Sequence, residues 1–244
     1  MTGVSELPTN AARLLPSDAS PPPYTSPRDR ERILRIALMT VAAGAVLAAL
    51  GALERYRFAS EALRLGAVTP GREDAVSQHR TITEFVVVVT VLAAAGLWLR
   101  WFSQIYGNLP LLGASWPRLS RQAAVIWCAV PVINLFMAPR LIGETWHVSN
   151  PEGDARQFPE DTKQWRPALA VIWSVAGLLT FVAAVLTLKM SSRTVDQLDR
   201  VRSGALGEVG TAVLVVVSAM LTARLAAALT ARQEARAAQL EALA

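Results

Sequence analysis

Three groups of side chains carry whatever chemistry this sequence offers. The first is Arg100, Gln104 and Asn108, spaced i, i+4, i+8, so that they share one helix face. Asn134, inside a separate apolar block, could meet them. An amide buried among apolar helices needs hydrogen-bond partners. Together the four residues define a candidate polar patch between two spans. It is either a pocket at the mouth of a helical bundle, taking a lipid headgroup or a small ligand, or a cap that joins two helices. The second group is Pro131 and Pro139, which flank Asn134 as a candidate helix break. Transporters use interrupted helices to expose backbone carbonyls at a binding site. Prolines also kink helices simply for packing. The third group is Glu144 and His147, at i and i+3. A metal site takes three or four ligands, and the other histidine, His79, lies far away in the chain. The pair reads as a solvated helix face. The sequence holds no phosphate-binding glycine loop, Gly-x-Ser-x-Gly elbow, His-Glu-x-x-His or paired-cysteine motif. No catalytic residue, cofactor or metal is expected.

The elements that must position these residues are long apolar blocks. The chain has 244 residues, 52% of them apolar, near the usual globular fraction. What departs from the usual is the segregation of apolar residues into blocks with charges between them. A helix crossing about 30 Å of hydrocarbon needs about 20 residues. Five blocks meet or approach that length: 33–53, 81–102, 121–139, 167–188 and 207–229. The predicted fold is therefore an all-α polytopic membrane bundle of about five transmembrane helices over 28–236. The third helix is kinked at proline or re-entrant.

The flanks are polar. Residues 1–27 hold six prolines, including Pro21-Pro22-Pro23, and are predicted to be disordered. A proline-recognising partner or a plain spacer would fit. Residues 54–84 suggest two short helices at the membrane surface, the second starting at Thr69-Pro70-Gly71. After Pro139 the pattern turns amphipathic, as for a helix lying in the interface. From Thr230 the chain stays helix-forming, and 237–244 is a short tail. Trp98, Trp101, Trp116, Trp146 and Trp165 sit near span ends, as an aromatic belt does, while Trp127 and Trp173 sit inside spans as packing residues. Cys128 is a lone cysteine in an apolar block and reads as a small hydrophobe.

Charge bears on partners and orientation. The net charge is +5, and the 24 basic residues flank the apolar blocks. That placement favours the lipid bilayer and its anionic headgroups over nucleic acid. Five full crossings would put twelve Lys and Arg on each side. If the third block dips in and returns, fifteen fall on one side and nine on the other. The connector 100–121, with three arginines and no acid, and the amino terminus are placed in the cytoplasm.

The run Leu97-Trp98-Leu99-Arg100-Trp101-Phe102, then Asn108, Leu112-Gly113, Trp127-x-x-x-Pro131-x-x-Asn134-Leu135, Pro139 and Glu144-x-Trp146, carries a resemblance. So do Val195-Asp196-Gln197-Leu198 and Leu229-Thr230-Ala231-Arg232-Gln233-Glu234-Ala235-Arg236. Over about residues 30–236 the chain resembles a bacterial, actinobacterial-type membrane family known only as a domain of unknown function. It departs from the pattern at Gln104 and Gly107, where a basic residue is expected, and the second proline of the third block is shifted by one. The resemblance implies the fold and a bacterial cytoplasmic membrane. The function it leaves open is read as a non-enzymatic scaffold or envelope-associated interaction protein, a homo-oligomer or a partner of other membrane proteins. The alternative is a small-solute or lipid transporter or channel using the broken third helix.

Overall fold

A computed structural model describes residues 24–66, 72–114, 119–153, 168–190 and 198–243. The described residues form six α-helices: α1 Arg28–Leu65, α2 Arg72–Gly107, α3 Arg121–Ala129, α4 Pro131–Val148, α5 Ala168–Met190 and α6 Leu198–Leu243. A single turn of 3-10 helix, Pro110–Leu112, follows α2. The fold is all-α, as the blocks predict. The segments 1–23, 67–71, 115–118, 154–167 and 191–197, and Ala244, lie outside the described residues. With them lie most of the Pro-rich tail, the Thr69-Pro70-Gly71 helix start, Trp116, Trp165 and most of the Val195–Leu198 motif.

Four helices are long and apolar enough to cross a membrane: α1, α2 from Thr81, α5 and α6. The third of the five expected blocks differs. It is two helices, of 9 and 18 residues, broken at Val130. The cause is local. A proline disfavours helical backbone at the residue before it, and Val130 is extended, with φ −83° and ψ 113°. Pro131 then opens α4, where its missing N–H costs nothing. The expected second break at Pro139 is corrected: α4 runs through that residue. Its flanks Ala138, Leu141 and Ile142 are core residues, so packing holds the helix across the one lost backbone bond.

The helices also outrun their apolar cores. α1 has 38 residues and α6 has 46, about 57 and 69 Å at 1.5 Å per residue. The expected first surface helix in 54–84 is instead the last turns of α1, which ends on Gly66 at φ 66°. The expected tail 237–244 is, to Leu243, the last turns of α6.

Packing has a heptad logic. On α1 the buried residues Glu31, Leu38, Ala45, Ala52 and Ala59 recur every seventh position. On α6 so do Ala205, Ala212, Ala219, Ala226 and Gln233. These two helices make the most extensive contact in the bundle. A seven-residue repeat of small side chains brings two helices close along a left-handed seam. Near its far end, Arg55 of α1 pairs with Glu208 of α6. The α5–α6 seam is polar. Trp173 Nε1 donates to Thr222 Oγ1 at 2.8 Å, Thr180 meets Ser218 at 2.8 Å, and Thr187 meets Thr211 at 2.9 Å. The α5 members are again seven apart. Outward, Ile36, Leu47, Phe85, Leu92, Phe181 and Leu188 leave an apolar surface exposed. In water such a surface would drive association; in lipid it is the solvated face.

The chain ends fix the number of passes. Ser26 Oγ and Tyr24 Oη, just before α1, both donate to Glu234 Oε1 near the end of α6, and Arg28 pairs with the same carboxylate at 3.2 Å. Both described ends therefore lie at one end of the bundle, and the passes between the two ends are even in number.

Candidate functional site

The polar hub sits where those ends meet. α2 presents three faces there. Trp98, Phe102 and Tyr106 form an aromatic ladder at i, i+4, i+8, with ring centroids 5.2 and 5.8 Å apart, and Trp173 of α5 stacks on Trp98 at 6.0 Å. Trp101, Ile105 and Leu109 face the core. The third face carries Arg100, Gln104 and Asn108. Trp98 and Trp101 are thus core residues and not a wet belt; the ladder and the seam with α6 cover them. Trp127, expected to pack, is instead 41% exposed on α3.

The structure brings together part of the predicted patch. Gln104 Nε2 donates to the backbone carbonyls of Thr25 and Ser26 at 3.0 and 2.9 Å. Asn108 Nδ2 donates to the Thr25 carbonyl at 3.0 Å and to Gln233 Oε1 at 3.3 Å. Gln233, fully buried, donates through Nε2 to the Ile105 carbonyl at 2.8 Å. The reason lies at the end of α2. The Leu109 N–H turns to the Tyr106 carbonyl, so the helical claim on Ile105 lapses. Gln233 takes up that carbonyl from across the bundle, as a cap would. One turn earlier, Trp101 Nε1 donates to Thr230 Oγ1 at 3.2 Å.

The other two predicted members stand apart. The Arg100 side chain is exposed, and its backbone carbonyl accepts from Arg30 at 3.3 Å. Asn134 is half-buried on α4, and its Oδ1 is buried without a hydrogen bond. The amides of α2 close onto residues 25–26 and α6, not onto the third block. The correction also moves the end of the expected tail: residues 24–27 are packed against α2 and α6.

Glu144 and His147 correct the solvated-face reading of α4. Leu141, Ile142, Glu144, Thr145, Val148 and Ser149 are all buried. Tyr106 Oη donates toward Glu144 Oε2 at 3.5 Å, and Arg140 lies 3.7 Å from the other oxygen. Burial pushes the Glu144 carboxyl above its ordinary range; the Arg140 charge and the Tyr106 hydroxyl pull the other way and only partly offset it. The Tyr24 phenol is pushed up too, by burial and then by the Glu234 charge. Trp146 is half-buried, with the Arg232 guanidinium 4.4 Å from its ring centroid. Among the described residues no three His, Cys, Asp or Glu side chains are grouped to hold a metal.

Sequence reasoning missed Gln233, Thr230, Glu234 and the segment Tyr24–Ser26 as hub members. A signal existed for Gln233: it stands at the next heptad step after Ala205, Ala212, Ala219 and Ala226. The scattered Ser and Thr of α5 and α6 likewise hid a seam.

The all-α bundle, its four span-length helices and its apolar exterior define a polytopic membrane protein. The chain belongs to the family described as a domain of unknown function, DUF4328, whose profile matches residues 64–231, more than half of its length. The match takes in Gln104, Asn108 and Thr230, and leaves outside it Thr25, Ser26, Gln233 and Glu234. No curated protein and no solved structure matches the chain.

Proposed function

We propose that this is a non-enzymatic protein of a bacterial cytoplasmic membrane that serves as a scaffold or envelope-associated interaction protein, as a homo-oligomer or with other membrane proteins. One observation carries the reading. The amide N–H donors gathered at the hub are engaged with one another's oxygens and with backbone carbonyls of the chain itself, while Gln104 Oε1 is buried without a hydrogen-bond partner among the described residues. They join the start of α1, the end of α2 and the end of α6. Donors so engaged across three chain segments rigidify a bundle. The hub also tethers the Pro-rich segment at its root. With the passes even in number, fifteen of the 24 basic residues fall on the hub side, which supports a cytoplasmic hub and amino terminus.

The test is to change Gln104, Asn108 and Gln233 singly to Ala and follow both folded yield in the membrane and solute flux in proteoliposomes. The reading expects lower yield with no defined flux lost. Full yield from all three variants would contradict it.

A small-solute or lipid transporter is the second reading. It is favoured by the break at Val130–Pro131 beside a buried Asn134 oxygen that lacks a partner. It expects Asn134→Ala to abolish one flux at unchanged yield.

A further inference from the structure

Three arginines from three helices converge beside the hub. Arg30 of α1 donates to the Arg100 carbonyl of α2 at 3.3 Å, and its guanidinium feels the positive charges of both Arg100 and Arg121. Arg121, the first residue of α3, donates through Nε to Ser103 Oγ of α2 at 2.8 Å. Its Cδ lies across Gly107, where a side-chain carbon would stand only 3.0 Å away. Gly107 therefore makes room for Arg121, and the positive charge expected at the end of α2 is delivered from α3.

The cluster has no built-in counter-charge on two of its three helices. Between Glu84 and Glu144 the sequence contains no Asp or Glu. On α1, the positions three and four away from Arg30 are Ser26, Pro27, Ile33 and Leu34. Of the carboxylates around Arg30, Asp29 is its exposed chain neighbour, Glu31 lies 3.8 Å from Arg35, and Glu234 pairs with Arg28. Arg100 and Arg121 are exposed and Arg30 half-exposed. Each guanidinium has five N–H donors; Arg30 and Arg121 each use one in the bonds above, and Arg100 uses none among the described residues. Like charges brought together from three chain segments repel unless an anion lies between them. Fork-shaped donors match the oxygens of a phosphate.

The setting selects the source of that phosphate. Ile33 and Ile36 follow Arg30 along α1, and Ile126 and Trp127 follow Arg121 along α3; all four are exposed. The arginines thus stand at the rim of an apolar, lipid-facing surface, at the level a headgroup occupies.

We propose that Arg30, Arg100 and Arg121 form a binding site for the phosphate of an anionic lipid headgroup. The inference rests on the reading that the hub end lies at a bilayer surface. That reading fails separately, in a map of which connectors label from each side.

The test uses the full chain in phosphatidylcholine nanodiscs with increasing phosphatidylglycerol, with retained lipid counted by native mass spectrometry. Single Arg→Gln variants at 30, 100 and 121 are each expected to lower the preference for phosphatidylglycerol about tenfold, the loss of one charge-assisted hydrogen bond to the phosphate. Arg200→Gln, exposed at the opposite end, is expected to leave it unchanged. Triple replacement by Lys keeps charge and most of the preference, and reports on the site if a Gln variant does not fold. Retention by all three single Gln variants equal to the parent overturns the proposal. Inorganic phosphate that binds in pure phosphatidylcholine and displaces phosphatidylglycerol overturns the lipid as occupant and leaves a free phosphate in its place.

Discussion

Gln233 is where the hub is most exposed to perturbation. Its amide spans two helices, donating to the Ile105 carbonyl at 2.8 Å and accepting from Asn108 at 3.3 Å. Gln233→Met keeps the volume and removes both bonds. A net hydrogen bond contributes about 0.5–1.5 kcal/mol, and a buried group left without a partner costs about 1–3 kcal/mol. Asn108 keeps its bond to Thr25, so the Ile105 carbonyl bears the larger loss. The expected destabilisation is about 2–3 kcal/mol, in line with interhelical amides whose alternatives in lipid are poor. For a chain of this length that lowers Tm by about 4–12 °C. The assay is thermal unfolding in nanodiscs, followed by size-exclusion fluorescence. Gln239→Met is the control, since Gln239 is exposed and, among the described residues, bonds Arg236 of its own helix; it should move stability by less than about 0.5 kcal/mol. A Gln233→Met protein with the Tm of the Gln239→Met protein would refute the reasoning that the hub joins α2 to α6.

Trp101→Phe keeps most of the buried ring and removes the bond to Thr230; the same assay should register a loss of about 1 kcal/mol. Thr180→Val cuts the Ser218 contact on the α5–α6 seam, and about 0.5–1 kcal/mol should be lost, while the exposed Thr40→Val should cost less. Glu144 yields a pH signature. Its folded pKa is raised, so the folded state holds the proton more tightly than the unfolded chain does. Stability contributed by the protonated form is then complete below the ordinary carboxylate range and is lost as pH rises from there through the folded pKa. Glu144→Gln should gain Tm relative to the parent over that window and hold a constant offset above it; a gap that narrows with rising pH would have the wrong sign. Glu234→Ala removes the acceptor shared by Tyr24, Ser26 and Arg28, so limited proteolysis should cut before Arg28 faster than in the parent, with a Tm loss smaller than that of Gln233→Met.

The helices were legible because lipid leaves a coarse signature. Uncharged runs near Ile36–Leu53 and 167–188 mark spans by length alone. The break at Pro131 was legible because proline acts on its neighbour's backbone. Pro139 misled for the converse reason: tertiary packing of Ala138, Leu141 and Ile142 overrides one missing hydrogen bond. The hub was half legible. The i, i+4, i+8 stripe of Arg100, Gln104 and Asn108 showed that a polar face existed. Its partners are 78 to 125 residues away in the chain, at Ser26, Thr25 and Gln233, and no local period links them. The heptads of Ala on α1 and α6 were hidden among abundant other alanines. Which alanine is buried depends on the facing helix.

The central claim is that an even number of passes brings both chain ends to one side, where the hub joins them. The measurement that tests it most directly is cysteine accessibility in intact cells, in a Cys128→Ser background. Single cysteines would replace Thr2, Leu65, Gly153 and Ala244, with a fifth placed in the connector 191–197. The account predicts that Leu65→Cys and the 191–197 position label from outside, while Thr2→Cys, Gly153→Cys and Ala244→Cys label only after permeabilisation. Labelling of Ala244→Cys from outside, with Thr2→Cys protected, would put the two ends on opposite sides and contradict the account.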